Sequence, residues 1–133
     1  MLGDLAKVEA LVREGADVNN VTKEHGWSLL YEAATNGRLA VVQYLAQQGA
    51  DKNKAANDGY TPLCGAACGG HLAVVRYLVQ QGAHVNKAAN DGYTPLCGAA
   101  CGGHLAVVQY LVQQGVDKDK LPTMAPLPSL LLS

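Results

Sequence analysis

The segment Asn53 to Val75 recurs without a change as Asn86 to Val108. After the single exchange of Arg76 for Gln109 the identity resumes through Gly82 and Gly115, so the offset is 33 residues. A more diverged copy precedes these two, with Gly37-Arg-Leu-Ala-Val-Val-Gln-Tyr-Leu aligned on Gly70-His-Leu-Ala-Val-Val-Arg-Tyr-Leu. Half a copy comes before that: Gly3-Asp-Leu-Ala-Lys-Val-Glu-Ala-Leu and Gly15-Ala-Asp-Val-Asn match the second half of the unit at an offset of 34, which places one extra residue between Asn19 and Trp27. Self-similarity at such a period marks a solenoid, in which each unit rests only on its neighbours.

The unit itself predicts two short helices and an arm. Asp58-Gly59 is a turn signal, Thr61 is a good N-cap, and Pro62 fits the first helical position, where its missing N–H is not needed. That helix should end near Cys68, stopped by Gly69-Gly70. A second follows, with Leu72, Val75, Leu78 and Val79 at helical spacing and Gly82 as its left-handed cap. Ala83 to Asn90 is polar and too short for a helix, which predicts an extended, hairpin-like arm. Helices of about 8 and 10 residues are marginal alone in water, so stacking must sustain them.

Composition narrows the functions available. The chain has 133 residues, 10 basic against 11 acidic side chains and a formal net charge of -1, enough for one domain and without the basic footprint that nucleic acid or anionic lipid demands. No apolar stretch reaches the roughly 20 residues of a membrane helix, and the start lacks the pattern of a secretory leader, which predicts a soluble, unsecreted protein. With no Phe, the core must be built from Leu, Val and Ala.

Helix, turn, helix and a β-like arm in 33 residues, with Thr61-Pro62-Leu63, Ala66-Ala67, Gly70-His71, Leu78 and Gly82-Ala83 in sequence, resembles the ankyrin repeat. The resemblance implies an all-α solenoid of antiparallel helix pairs joined by β-hairpin-like arms. It divides the chain into a partial repeat at 1–24, full repeats at 25–57, 58–90 and 91–120, and an apolar, proline-punctuated tail at 121–133. Two departures stand out. The histidine that ends the family's Thr-Pro-Leu-His signature is Tyr31, Cys64 and Cys97 here, which removes the imidazole that links repeats in the family. The second repeat replaces Thr-Pro with Ser28-Leu29, a weaker helix start.

Cys64, Cys68 and His71, repeated as Cys97, Cys101 and His104, offer a C-x3-C-x2-H cluster that invites comparison with zinc sites. The double glycine between the helices turns His71 away and no fourth ligand is near, so neither metal nor cofactor is expected. Equivalent positions of stacked repeats lie about 8 to 10 Å apart, beyond the ~7 Å limit for bridged Cα atoms, which predicts four reduced thiols in a reducing compartment: the cytoplasm, with the nucleus left open. Gly-Ala-Ala-Cys-Gly-Gly lacks the lysine of a phosphate loop, and no nucleophile, base and orienter can be assembled, so an enzyme is not expected.

What remains is a surface. The resemblance implies a concave face for a protein partner at Glu24, His25, Trp27, Thr35 and Asn36, then Asn57, Asp58, Tyr60, Cys68 and Gly69, then Asn90, Asp91, Tyr93, Cys101 and Gly102. Trp27, Tyr60 and Tyr93 share one slot and should form a ladder of rings; they either anchor a partner or stiffen their own arms. Tyr44, Tyr77 and Tyr110 belong to the second-helix stripe and should be partly buried. Between Asp58 and Val116 the charges reduce to Asp58, Arg76, Lys87 and Asp91, which cancel, so binding there should depend little on salt. The resemblance also implies asparagine hydroxylation at Asn19, preceded by Asp17-Val18 and by Leu11; a structural asparagine is the plainer reading. The reading is thus a monomeric protein-binding module, without nucleic acid, membrane or small-molecule partners. Its rivals are a thiol or metal protein and a structural fragment of a longer array, the latter because the first unit lacks its leading helix.

Overall fold

The computed structural model describes residues 5–115, so the tail at 121–133 and the end of the last repeat lie outside the described residues. The helices run α1 Leu5–Arg13, α2 Leu29–Thr35, α3 Leu39–Gln47, α4 Pro62–Cys68, α5 Leu72–Gln80, α6 Pro95–Cys101 and α7 Leu105–Gln113. The first helix of each full repeat begins where a hydroxyl caps it. Thr61 Oγ1 accepts the Cys64 N–H at 3.3 Å, Thr94 does the same for Cys97, and Ser28 Oγ accepts the Tyr31 N–H at 3.0 Å, so the Ser-Leu variant keeps the cap while lacking the proline. Pro62 and Pro95 take the first helical position as expected.

Two glycines show how the chain turns back on itself. Gly82 (φ +89°) lets its own N–H reach Val79 O while Ala83 N–H reaches Leu78 O, both at 3.0 Å, satisfying the last carbonyls of α5. Gly70 (φ +75°) closes α4 in the same way, with bonds to Ala67 O and Ala66 O, and delivers His71 to the start of α5.

The helices form two layers. In one, α2 packs on α4 and α4 on α6; in the other, α1, α3, α5 and α7 follow in order; and α2–α3, α4–α5 and α6–α7 pair within repeats. Between the layers lie Leu30, Leu63 and Leu96 from the first helices and Leu45, Leu78 and Leu111 from the second, all fully buried. Each such leucine contributes about 1.5 to 3 kcal/mol of burial. Ala33, Ala66 and Ala99 beside them are also fully buried, their small side chains suited to a close approach of the layers. Tyr44, Tyr77 and Tyr110 are half-buried against this core, as their place in the stripe predicts.

The arms are tight turns rather than strand pairs. Ala56 N–H bonds Tyr60 O at 2.9 Å and Ala89 N–H bonds Tyr93 O at 2.8 Å, while among the described residues the isolated β-bridge joins Val21 to Ser28. The arms are hairpin-like only at their tips.

Candidate protein-interaction surface

The tips of successive arms are tied into a row. Asn57 donates its backbone N–H to His25 O at 2.8 Å and its amide to Glu24 O at 3.3 Å. One repeat on, Asn90 donates its N–H to Asp58 O at 2.9 Å and its amide to Asn57 O at 3.0 Å. Asp58 and Asp91 fix their own turns by accepting the Tyr60 and Tyr93 N–H groups at 3.0 and 2.9 Å. The asparagines therefore reach back to the preceding arm tip, and Glu24, His25, Asn57, Asp58, Asn90 and Asp91 all remain exposed. Asn36, Cys68, Gly69, Cys101 and Gly102 are exposed at the ends of the first helices, and Thr35 is half-buried.

The aromatic slot is not a ladder. Trp27 is stacked between His25 (ring centroids 4.3 Å apart) and Tyr31 (6.2 Å). Tyr60 instead donates its hydroxyl to Asp91 Oδ2 of the next repeat at 2.8 Å, and its phenol is pushed up, first by burial and then by that carboxylate. Tyr93 OH lies 3.9 Å from the Cys101 thiol of its own repeat. The three rings share a sequence position but have different neighbours: at the position preceding Trp27 by two stands a histidine, and Tyr60 has Asp91 one repeat ahead.

The repeated cysteines and histidines separate in space. Cys64 and Cys97 are buried and Cys68 and Cys101 exposed, all four as free thiols. Among the described residues no group of three or more His, Cys, Asp or Glu side chains gathers as metal ligands would. Cys64 Sγ is 3.9 Å from Lys87 O, Cys97 Sγ receives the Thr94 hydroxyl at 3.3 Å, and burial raises the Cys64 thiol above its ordinary value. Cys68 is pushed up to about 11, chiefly by burial, with its sulfur resting against Gly98. The linkage between repeats that the missing signature imidazole put in doubt is supplied by other histidines. His71 Nε2 lies 2.9 Å from Thr35 O and His104 Nε2 lies 2.9 Å from Cys68 O, each ring seated on the glycine that closes the preceding repeat's first helix.

Asn19 is occupied as well. Its Oδ1 accepts the Asp51 N–H at 2.7 Å and its amide donates to Gly49 O at 3.4 Å, tying the first arm to the second repeat. Asn53 Oδ1 likewise accepts the His84 N–H at 3.0 Å. A hydroxylase acting on Asn19 would have to open this tether.

A family model described as "Ankyrin repeats (3 copies)" matches residues 1–56 and 51–121. The chain belongs to the ankyrin-repeat family. It is similar to rat ankyrin repeat and SAM domain-containing protein 6, 42% identical over 59 residues that span 44% of this chain and 7% of the relative. It is 39% identical over 62 residues to human ankyrin repeat domain-containing protein 40, covering 47% of this chain and 17% of that one. Mouse 2-5A-dependent ribonuclease matches at 37% over 60 residues, 45% of this chain and 8% of the enzyme. The chain thus spans a small part of each of these relatives. Ankyrin repeats mediate protein–protein interaction in general and are non-catalytic in themselves.

One feature escaped the sequence reading. Glu32 stands where the other two ankyrin repeats have Gly65 and Gly98, and it borders two hollows that also share Trp27. The signal was in the alignment of the copies, at a position that looked like ordinary divergence.

Proposed function

We propose that the chain is a non-catalytic binding module that holds a protein partner along its concave side, across the arm tips and the exposed ends of the first helices. The observation that carries this reading is the row of tips, whose backbone and asparagine bonds are satisfied from repeat to repeat while Asp58 and Asp91 are exposed and Tyr60 and Tyr93 are half-buried. Preformed backbone lowers the entropic cost of gripping a partner. The four free thiols accord with a protein working in a reducing compartment such as the cytoplasm.

Pull-down from lysate with wild type and with Tyr60→Ala plus Tyr93→Ala tests the proposal, and Tyr60→Phe controls for the lost bond to Asp91. A partner captured by the wild type and the phenylalanine variant, and lost from the double alanine variant, is the expected result. Capture should persist when salt is raised from about 0.15 to about 0.5 M, since the formal charges between Asp58 and Val116 cancel. Equal capture by all three chains would assign the tyrosines to arm packing alone.

A further inference from the structure

Between Asn53 to Gly82 and Asn86 to Gly115 the two later copies differ at one residue, Arg76 against Gln109, and the diverged copy has Gln43 there. That arginine is the one charged side chain on α3, α5 and α7. Its guanidinium carbon stands 5.7 Å from the centroid of the Tyr110 ring on α7. A ring face attracts the cation without consuming its N–H groups, and among the described residues Arg76 has no ion-pair partner. Its donors are therefore held near the surface of the second-helix layer and open to an acceptor.

Arg76 also borders a hollow of about 370 Å³ between α3 and α5, together with Leu39 and Gln43 of α3 and Leu72, Ala73 and Tyr77 of α5. Leu39, Leu72 and Tyr77 are half-buried, while Ala73 and Arg76 are exposed. Tyr77 is the counterpart of Tyr110, but the residue one repeat before it is Gln43, an amide where Tyr110 has the cation of Arg76. In the same layer α1 packs on α3 and α7 packs on α5, so the hollow lies at an internal joint of the array and owes nothing to either end of the chain.

We propose that the hollow between α3 and α5 takes an amphipathic helix of a partner polypeptide, which lays apolar side chains against Leu39, Leu72 and Tyr77 and presents a glutamate or aspartate to Arg76. The acid follows from charge: a carboxylate finds the paired N–H donors of a guanidinium and no competing carboxylate on these helices, whereas a basic side chain would meet like charge. The helical form follows from the walls. Both are helices whose backbone groups are already paired, so an extended strand would gain no ladder there, while a helix brings its own backbone bonds with it. Leu39 with Gln43 and Ala73 with Tyr77 stand four residues apart, each a ridge about 6 Å long against which the corresponding row of another helix packs. This surface belongs to the second helices and not to the arm tips and first helices, so it stands or falls apart from the concave-side reading.

The probe is a dye-labelled, blocked, Ala/Leu-rich helical peptide of about 14 residues with a central glutamate, alongside the same peptide with arginine there, each titrated with the chain and followed by fluorescence anisotropy. The glutamate peptide should bind saturably and the arginine peptide about tenfold or more weakly. Arg76→Gln installs the residue that the next repeat carries, so it should keep the fold and weaken the glutamate peptide about tenfold. Ala73→Trp, which fills the hollow from an exposed position, should weaken it at least as much, and Tyr93→Ala, on the rim, should leave it unchanged. Four results would overturn the proposal: no saturable rise up to about 1 mM chain, equal binding of the two peptides to the wild type, undiminished binding by Ala73→Trp with its helical circular dichroism intact, or equal binding of a glutamate peptide broken by two prolines, which would make an extended segment the occupant. Should Ala73→Trp fail to fold, Arg76→Gln and the proline peptide still decide.

Discussion

Single side chains carry the joints between repeats. His71 is half-buried, 2.9 Å from Thr35 O, and its ring fills the space above Gly37, so His71→Ala should lose about 1 to 2 kcal/mol in urea unfolding. At Gly98 a Cβ would run into the Cys68 sulfur. Gly98→Ala should therefore destabilise the chain, and Cys68→Ala in the same molecule should recover most of the loss, a coupling that a double-mutant cycle measures. The same sulfur gives a pH signature. Its thiol is raised from 9.0 to about 11 on folding, so the folded chain holds that proton more tightly than the unfolded one. This contribution to stability is intact below about pH 9 and is lost as pH rises toward 11. Thermal melts across that range should fall less steeply for Cys68→Ala than for wild type.

At the scale of the element, helix starts are set by local chemistry and helix survival by neighbours. Thr61→Ala should cost about 1 kcal/mol through the lost cap on Cys64 N–H, and Thr94→Ala a similar amount, read from denaturation midpoints. These starts were legible because Thr-Pro and Gly-Gly act through backbone geometry within a few residues, and α4 begins at Pro62 and ends at Cys68 as that chemistry dictates. The side-chain partners of the rim were not legible. Whether Trp27 stacks on His25 or Tyr60 bonds Asp91 depends on which atoms the arms bring into reach, and those span up to a full repeat.

The whole molecule is a one-dimensional stack in which nearest-neighbour contacts set stability. Because Asn53 to Val75 and Asn86 to Val108 are identical, removing residues 58–90 would present α2 with the same face on α6 that it meets on α4. The shortened chain should still fold cooperatively, with a lower urea midpoint and a smaller m-value reflecting one repeat less of buried surface. Loss of a cooperative transition would show that the stack depends on contacts beyond the adjacent copy.

Periodicity and punctuation in the sequence determined the family and the ends of the helices, because turns, caps and apolar spacing act over a few residues and recur with the period. Only the tertiary structure decided what each repeated residue does. Cys64 is buried while Cys68 rests on Gly98, His71 bridges to Thr35, and Glu32 stands beside Trp27 where the later copies have glycine. The physical reason is that identical residues acquire different roles from the neighbour across the interface, and that neighbour lies about 33 residues away along the chain.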